Sequence, residues 1–134
     1  MRDTRIPAQI DAQGLQTYEM ARTKSFSYSA LNLRALSTLA TVAQPLGIDL
    51  YQPSKPGAPG ILTAVDALLP YDPRHPWPRE QIEKNREDSV CPALYSAVGY
   101  THDAKYSEAL KRFQCKATAK DEIIALGNKD KQEP

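Results

Sequence analysis

Little in this 134-residue chain is present in excess. Seventeen Lys and Arg stand against sixteen Asp and Glu, a formal charge of +1 that gives no reason to place the chain on nucleic acid or an anionic membrane. The two cysteines, Cys91 and Cys115, are too few for a disulfide scaffold and have no metal-ligand spacing. They read as two small buried thiols in preference to a bridge, although an oxidising compartment would allow them to pair. His75 and His102 lie beside Pro73, Pro76 and Asp103, with no His or Cys partner nearby, which favours surface imidazoles over metal ligands. There is no Gly-rich phosphate loop and no internal repeat, and no cofactor is implied. No apolar run approaches the roughly 20 residues that span a bilayer; the longest, Leu31–Leu50, is broken by Asn32, Arg34, Gln44 and Pro45. The opening MRDTRIPAQI has no apolar core of the kind a secretory signal carries.

What is there is helical pattern separated by proline-rich punctuation. Residues 1–17 are polar, with Pro7 and Gly14, and read as an extended or looped lead-in. A first long helix is expected from Ser27 to Leu46, with Gly47 as its stop. Its apolar residues form two stripes, one of Tyr28, Leu31, Ala35, Leu39, Val42 and Leu46, the other of Leu33, Leu36, Ala40 and Ala43. The segment DLYQPSKPGAPG is a loop or a pair of turns, and ILTAVDALLPY is a second helix with one apolar face. After the rigid DPRHPWP, whose Trp77 reads as a structural anchor more than a sugar platform, a charged third helix is expected through Glu80 and Ile82, with Pro92 interrupting or restarting it. Asp103–Phe113 is the fourth. The tail ending NKDKQEP is charged and expected to be flexible. No strand-like run is long enough for a sheet, so the class is all-α.

The first helix carries one charged residue, Arg34, between Ser25 and Ile48, and is apolar or small nearly all round. A helix on the surface of a small bundle shows a polar face opposite its apolar stripe. Burying both stripes takes a layer on each side, and the remaining segments supply about enough for one. The chain is therefore expected to dimerise through this helix or to be a piece of a longer protein, the second reading being preferred.

Five blocks occur in order: QTYEMARTKSFSY, SALNLRALSTLATVA, GIDLY, AVDALLPY and HPWPREQI. Together they are similar to the C-terminal part of the alginate lyase domain, a group of polysaccharide lyases with an α/α-toroid fold. The resemblance fades after about Lys84. It implies a partial α/α toroid of about four helices. Residues 1–88 would be the lyase-like part, 89–115 a further helical segment and 116–134 the tail. It also implies an uronate polysaccharide such as alginate as partner and β-elimination as the reaction. A periplasmic or secreted location is implied by the family, although no signal peptide is visible in this chain.

The chemistry explains which residues matter. A weakly acidic proton beside a sugar carboxylate must be removed. A donor that neutralises the carboxylate stabilises the enolate-like intermediate, and a positioned acid protonates the leaving oxygen. Matched motif by motif, Arg22 would neutralise charge and Tyr28 would be the acid, or both base and acid. Lys24, Ser25 and Ser27 would hydrogen-bond the sugar chain, and Glu19 would orient Arg22. Without the five blocks, Tyr28 would read as a core aromatic with a wet tip and Arg22 as a loop cation. Asn32 and Arg34 point into the toroid lumen or form a polar pair between helices. The Asn-His motif that the family carries upstream is absent, and neither His75 nor His102 occupies its place. The expected function is thus a truncated lyase segment, inactive or weakly active alone. Its further partner would be the missing N-terminal half or a second copy. The alternative is a non-catalytic helical interaction or sugar-binding module.

Overall fold

The computed structural model describes residues 5–20, 25–53, 55–72, 74–75, 77 and 87–116. Among them the chain forms six α-helices: α1 (Arg5–Gln9), α2 (Thr17–Met20), α3 (Ser25–Ala43), α4 (Ile61–Leu68), α5 (Cys91–Thr101) and α6 (Ala104–Arg112). Short 3-10 turns at Gln44–Leu46 and Glu87–Val90 extend α3 and lead into α5. Within the described residues there is no strand, only an isolated bridge between Ile10 and Gln16, and no helix is long and apolar enough to cross a membrane. The helical class expected from sequence is the one found. The lead-in differs: it holds α1, of five residues, and a second short helix, α2, of four residues, starts at its last position. They are too short to show periodicity, and isolated helices of that length are unstable without tertiary packing. The third expected helix, through Glu80 and Ile82, and the tail beyond Lys116 lie outside the described residues.

The centre of the fold is α3, and it buries only one of its two stripes. Phe26, Ala30, Leu33, Leu36 and Ala40 are buried, against α4 through Ile61, Ala64, Val65 and Leu68, against the 3-10 turn at Val90, and against α5 through Ala93, Leu94 and Ala97. From α6, Tyr106, Ala109 and Phe113 complete this core, and Ile6 and Ile10 join it from the N-terminal segment. The other stripe faces outward. Leu31, Leu39, Val42, Leu46 and the following Ile48 are exposed, from 48% at Leu39 to 73% at Leu46.

Local chemistry sets the helix ends. Gly47, at φ 78°, closes the turn after α3 with its N–H donating to the Gln44 carbonyl at 2.9 Å. The N-terminus of α4 is fixed by the Gly60 N–H donating to Thr63 Oγ1 at 3.1 Å. Asp103 caps α6, its Oδ1 accepting from the Lys105 N–H at 3.0 Å. The proline-rich loop after α3 is tied to α5 by Tyr100, whose hydroxyl donates to Asp49 Oδ2 at 2.7 Å and accepts from Gln52 Nε2 at 3.1 Å. Tyr51 stacks on Tyr100 with centroids 4.4 Å apart. Burial, above all, pushes both phenols up to about 12. The buried hydroxyls of Tyr51 and Ser37 have no well-formed hydrogen bond within the described residues.

The preferred reading of the cysteines as separate thiols is corrected: Cys91 and Cys115 form a disulfide, with Cα atoms 5.7 Å apart. The helical hairpin of α5 and α6 folds back on itself, turned by His102 at φ 55°, so residues 24 apart in sequence meet. Sequence spacing alone does not contain that reversal.

Two measurements test this packing. Cys115→Ser, or reduction of the wild-type chain, is expected to lower unfolding stability by about 2–4 kcal/mol through the lost cross-link, read as a drop in denaturant midpoint. Gly14 adopts φ 83°, and an added Cβ would overlap the Thr63 carbonyl of α4, whereas at Gly47 the same atom meets open space. Gly47→Ala should cost about 1–2 kcal/mol. Gly14→Ala should cost that plus roughly 1–3 kcal/mol of overpacking, so comparing the two melting curves separates strain from collision.

Candidate active site

The outward stripe of α3 forms the floor of an open groove of about 830 Å³. It runs from Glu19 on α2 and Tyr28 in the first turn of α3, past Leu31, Asn32 and Arg34, to Leu39. Its surface is largely apolar, with Glu19, Tyr28, Asn32, Arg34 and Thr38 supplying polar groups along its length. Tyr28 is half-buried and borders the groove. Arg34 is exposed and supplies a cation to the same groove. A phenol that can give or take a proton, an amide, a carboxylate and a guanidinium thus border one channel.

Asn32 and Arg34 do not pair with each other. The Asn32 Nδ2 amide donates to Gln16 Oε1 at 2.7 Å and to Gln9 Oε1 at 3.1 Å. Gln16, itself buried, donates through Nε2 to the Ser29 carbonyl at 3.0 Å. These contacts fasten the segment containing α1 and α2 across the N-terminal half of α3. They were not anticipated from sequence, where Gln9 and Gln16 fell in a polar lead-in. The only signal was an Asn placed on an otherwise apolar helix, which must find partners if it is not fully wet.

Of the other residues expected to act, Ser25 is fully buried. Its Oγ accepts a hydrogen bond from the Trp77 indole Nε1 at 2.7 Å. Trp77, 7% exposed, packs edge-on against Phe26 and Tyr71 with centroids 5.3 and 4.9 Å away. Trp77 is therefore a structural anchor, as its sequence context suggested, and Ser25 holds that anchor from the first position of α3. Ser27, half-buried and directly preceding Tyr28, is not among the groove's described walls. Arg22 and Lys24 lie outside the described residues. His75 and His102 are exposed, as expected.

The sequence matches the alginate lyase family over residues 1–77. The fold is similar to the crystal structure of an alginate lyase from Bacteroides ovatus determined at 1.60 Å, with a TM-score of 0.75 and 28% sequence identity. That likeness covers 90% of this chain but 33% of the other, so the chain spans about a third of the length of the enzyme it matches. It covers more of the chain than the family match, which ends at residue 77. Among curated proteins no match is found.

Because Ser25 serves the anchor, Ser25→Ala leaves a buried indole N–H without its acceptor. It is expected to lower stability by about 1–3 kcal/mol, measured by chemical unfolding. A variant as stable as wild type would release Ser25 for a role in the groove.

Proposed function

The chain belongs to the alginate lyase family, and on that footing we propose that it supplies the tyrosine-bearing side of a site that cleaves an uronate polysaccharide by β-elimination. The observation that carries the reading is the position of Tyr28, in the first turn of α3 on the wall of an open groove of about 830 Å³. In this reading the phenol protonates the departing glycosidic oxygen, and in a syn elimination its conjugate base first removes the proton beside the sugar carboxylate. Arg22, from the segment leading into α3, offsets the carboxylate charge and so stabilises the enolate-like intermediate. Glu19 orients that guanidinium. Lys24 and Ser27 add hydrogen bonds to the sugar chain. Ser25 contributes by fixing Trp77, and through it the start of α3.

One wall is not enough for this chemistry. The family's Asn-His pair, which completes carboxylate neutralisation, has no counterpart in this sequence, and the exposed stripe of α3 is apolar where a further helical layer would cover it. The proposed activity is thus that of a larger α/α toroid, of which this chain forms a C-terminal part, with little or no turnover by the chain alone. The Cys91–Cys115 disulfide supports an oxidising location, periplasmic or secreted.

The test is reconstitution. Combined with an upstream segment carrying an Asn-His motif, the chain should generate the ultraviolet absorbance of unsaturated uronate from alginate. Tyr28→Phe should reduce that rate by about 10²–10⁴-fold with the polymer still bound. A reconstituted protein inert on every uronate polymer would overturn the reading. Binding without cleavage by both forms would favour a sugar-binding module, and a stable dimer of the chain closing over α3 would favour an interaction module.

A further inference from the structure

A second cavity, of about 370 Å³, opens where the residues following α4 meet the end of α6. It is lined by Asp72, Arg74, His75, Lys111, Arg112 and Gln114, and shares no residue with the α3 groove. Three permanent cations face a single carboxylate there, and that carboxylate is already engaged on both oxygens. Asp72 Oδ1 accepts from the Arg74 backbone N–H and from His75 Nδ1, each at 2.9 Å. Its Oδ2 accepts from Arg112 Nη1 at 3.1 Å, and the same nitrogen donates to the Leu69 carbonyl at 2.9 Å. Asp72 is buried. The His75 contact is the largest cause holding its carboxyl below the usual range, with burial opposing and the Arg74 N–H and Arg112 assisting.

The consequence is a wall whose remaining polar capacity is mostly donor. Arg112 has further N–H groups beyond the nitrogen already bonded. The side chains of Arg74 and Lys111 are exposed at the cavity, and Gln114 adds an amide from a backbone held at φ 56°. Lys111 and Arg112 lie in the last turn of α6, where cations complement the helix dipole. That accounts for their position along the helix but not for Arg74, which arrives from a different part of the chain to face them. Asp72 behaves as the internal organiser: it fixes Arg112 and the turn that carries Arg74, and leaves the charge of the site positive.

We propose that this cavity binds an oxyanion: a sulfate or phosphate ion, or the carboxylate of a sugar acid, which share the chemistry of several acceptor oxygens around one negative centre. Guanidinium groups suit such a ligand because they donate in a planar fork. The site stands on its own charge and geometry and does not depend on whether Tyr28 takes part in cleavage.

The experiment is titration of the isolated chain at low ionic strength, followed by calorimetry and by amide chemical shifts, with sodium sulfate, sodium phosphate and a short uronate oligomer in turn. Saturable binding of at least one is expected, with shifts centred on Arg74, Lys111 and Gln114 and affinity falling as salt is added. The double variant Arg74→Ala/Lys111→Ala should bind about tenfold or more weakly while melting with wild type, since both side chains are exposed. Should it melt lower, Arg74→Gln/Lys111→Gln retains side-chain bulk and isolates the charge. Tighter binding of the inorganic ions identifies a free anion as the ligand, and tighter binding of the oligomer with the same shifts identifies a sugar acid. No saturable binding of any of the three, or binding unchanged in the charge-deleted variants, overturns the proposal.

Discussion

The packing of one side of α3 is the constraint on which the rest of the structure depends. That helix is where α2, α4 and α5 make their contacts, and its small buried residues, Ser29, Ala30, Ser37 and Ala40, let neighbours approach closely along its length. Burying Phe26, Leu33 and Leu36 on this side commits the opposite stripe, a fraction of a turn away, to face outward. The groove is therefore not an addition to the fold but the reverse side of its core. Tyr28 borders it because helical geometry sets that residue on the same face as Leu31, Asn32 and Ala35.

Around that pillar, polar side chains tie remote segments together. Tyr100 to Asp49 binds the proline-rich loop to α5, Tyr106 to Asp66 binds α6 to α4 at 2.8 Å, and Arg112 to Asp72 binds the end of α6 to the turn after α4. Each joins elements that are distant in sequence, and each uses a side chain with an apolar body and a polar tip. The apolar body contributes to the core while the tip selects one register of packing. Burial and the neighbouring carboxylates raise the phenols of Tyr100 and Tyr106, the expected cost of ionising a donor that a carboxylate is using.

The legible parts of this fold were those written in local chemistry. Gly47 marks the end of α3, Ile61 opens α4 directly after a glycine, and Asp103 caps α6; each depends on neighbours within a turn. The two-stripe pattern of α3 also announced that one side would remain uncovered. What stayed hidden depends on the chain's reversals. The pairing of Cys91 with Cys115 follows from the hairpin at His102, and Ser25 became a buried partner of Trp77 only because a segment some fifty positions later returns to it. Ser25 illustrates the difficulty well: in a basic, hydroxyl-rich strip a serine reads as a ligand contact, and only burial reveals that its hydroxyl belongs to an indole. Tyr28, by contrast, borders the groove on the outward stripe that helical spacing predicts.

The amide lock of Gln9, Gln16 and Asn32 has a mechanical meaning. Asn32 follows Tyr28 by one helical turn on the same face, so holding the Asn32 amide between two glutamines fixes the azimuth of α3 about its own axis at the point where the phenol emerges. The aim of Tyr28 is in this sense set in part by residues that precede the helix. Because Ile6 and Ile10 of the same segment are core residues, the orientation of the groove face and the packing behind it are set together.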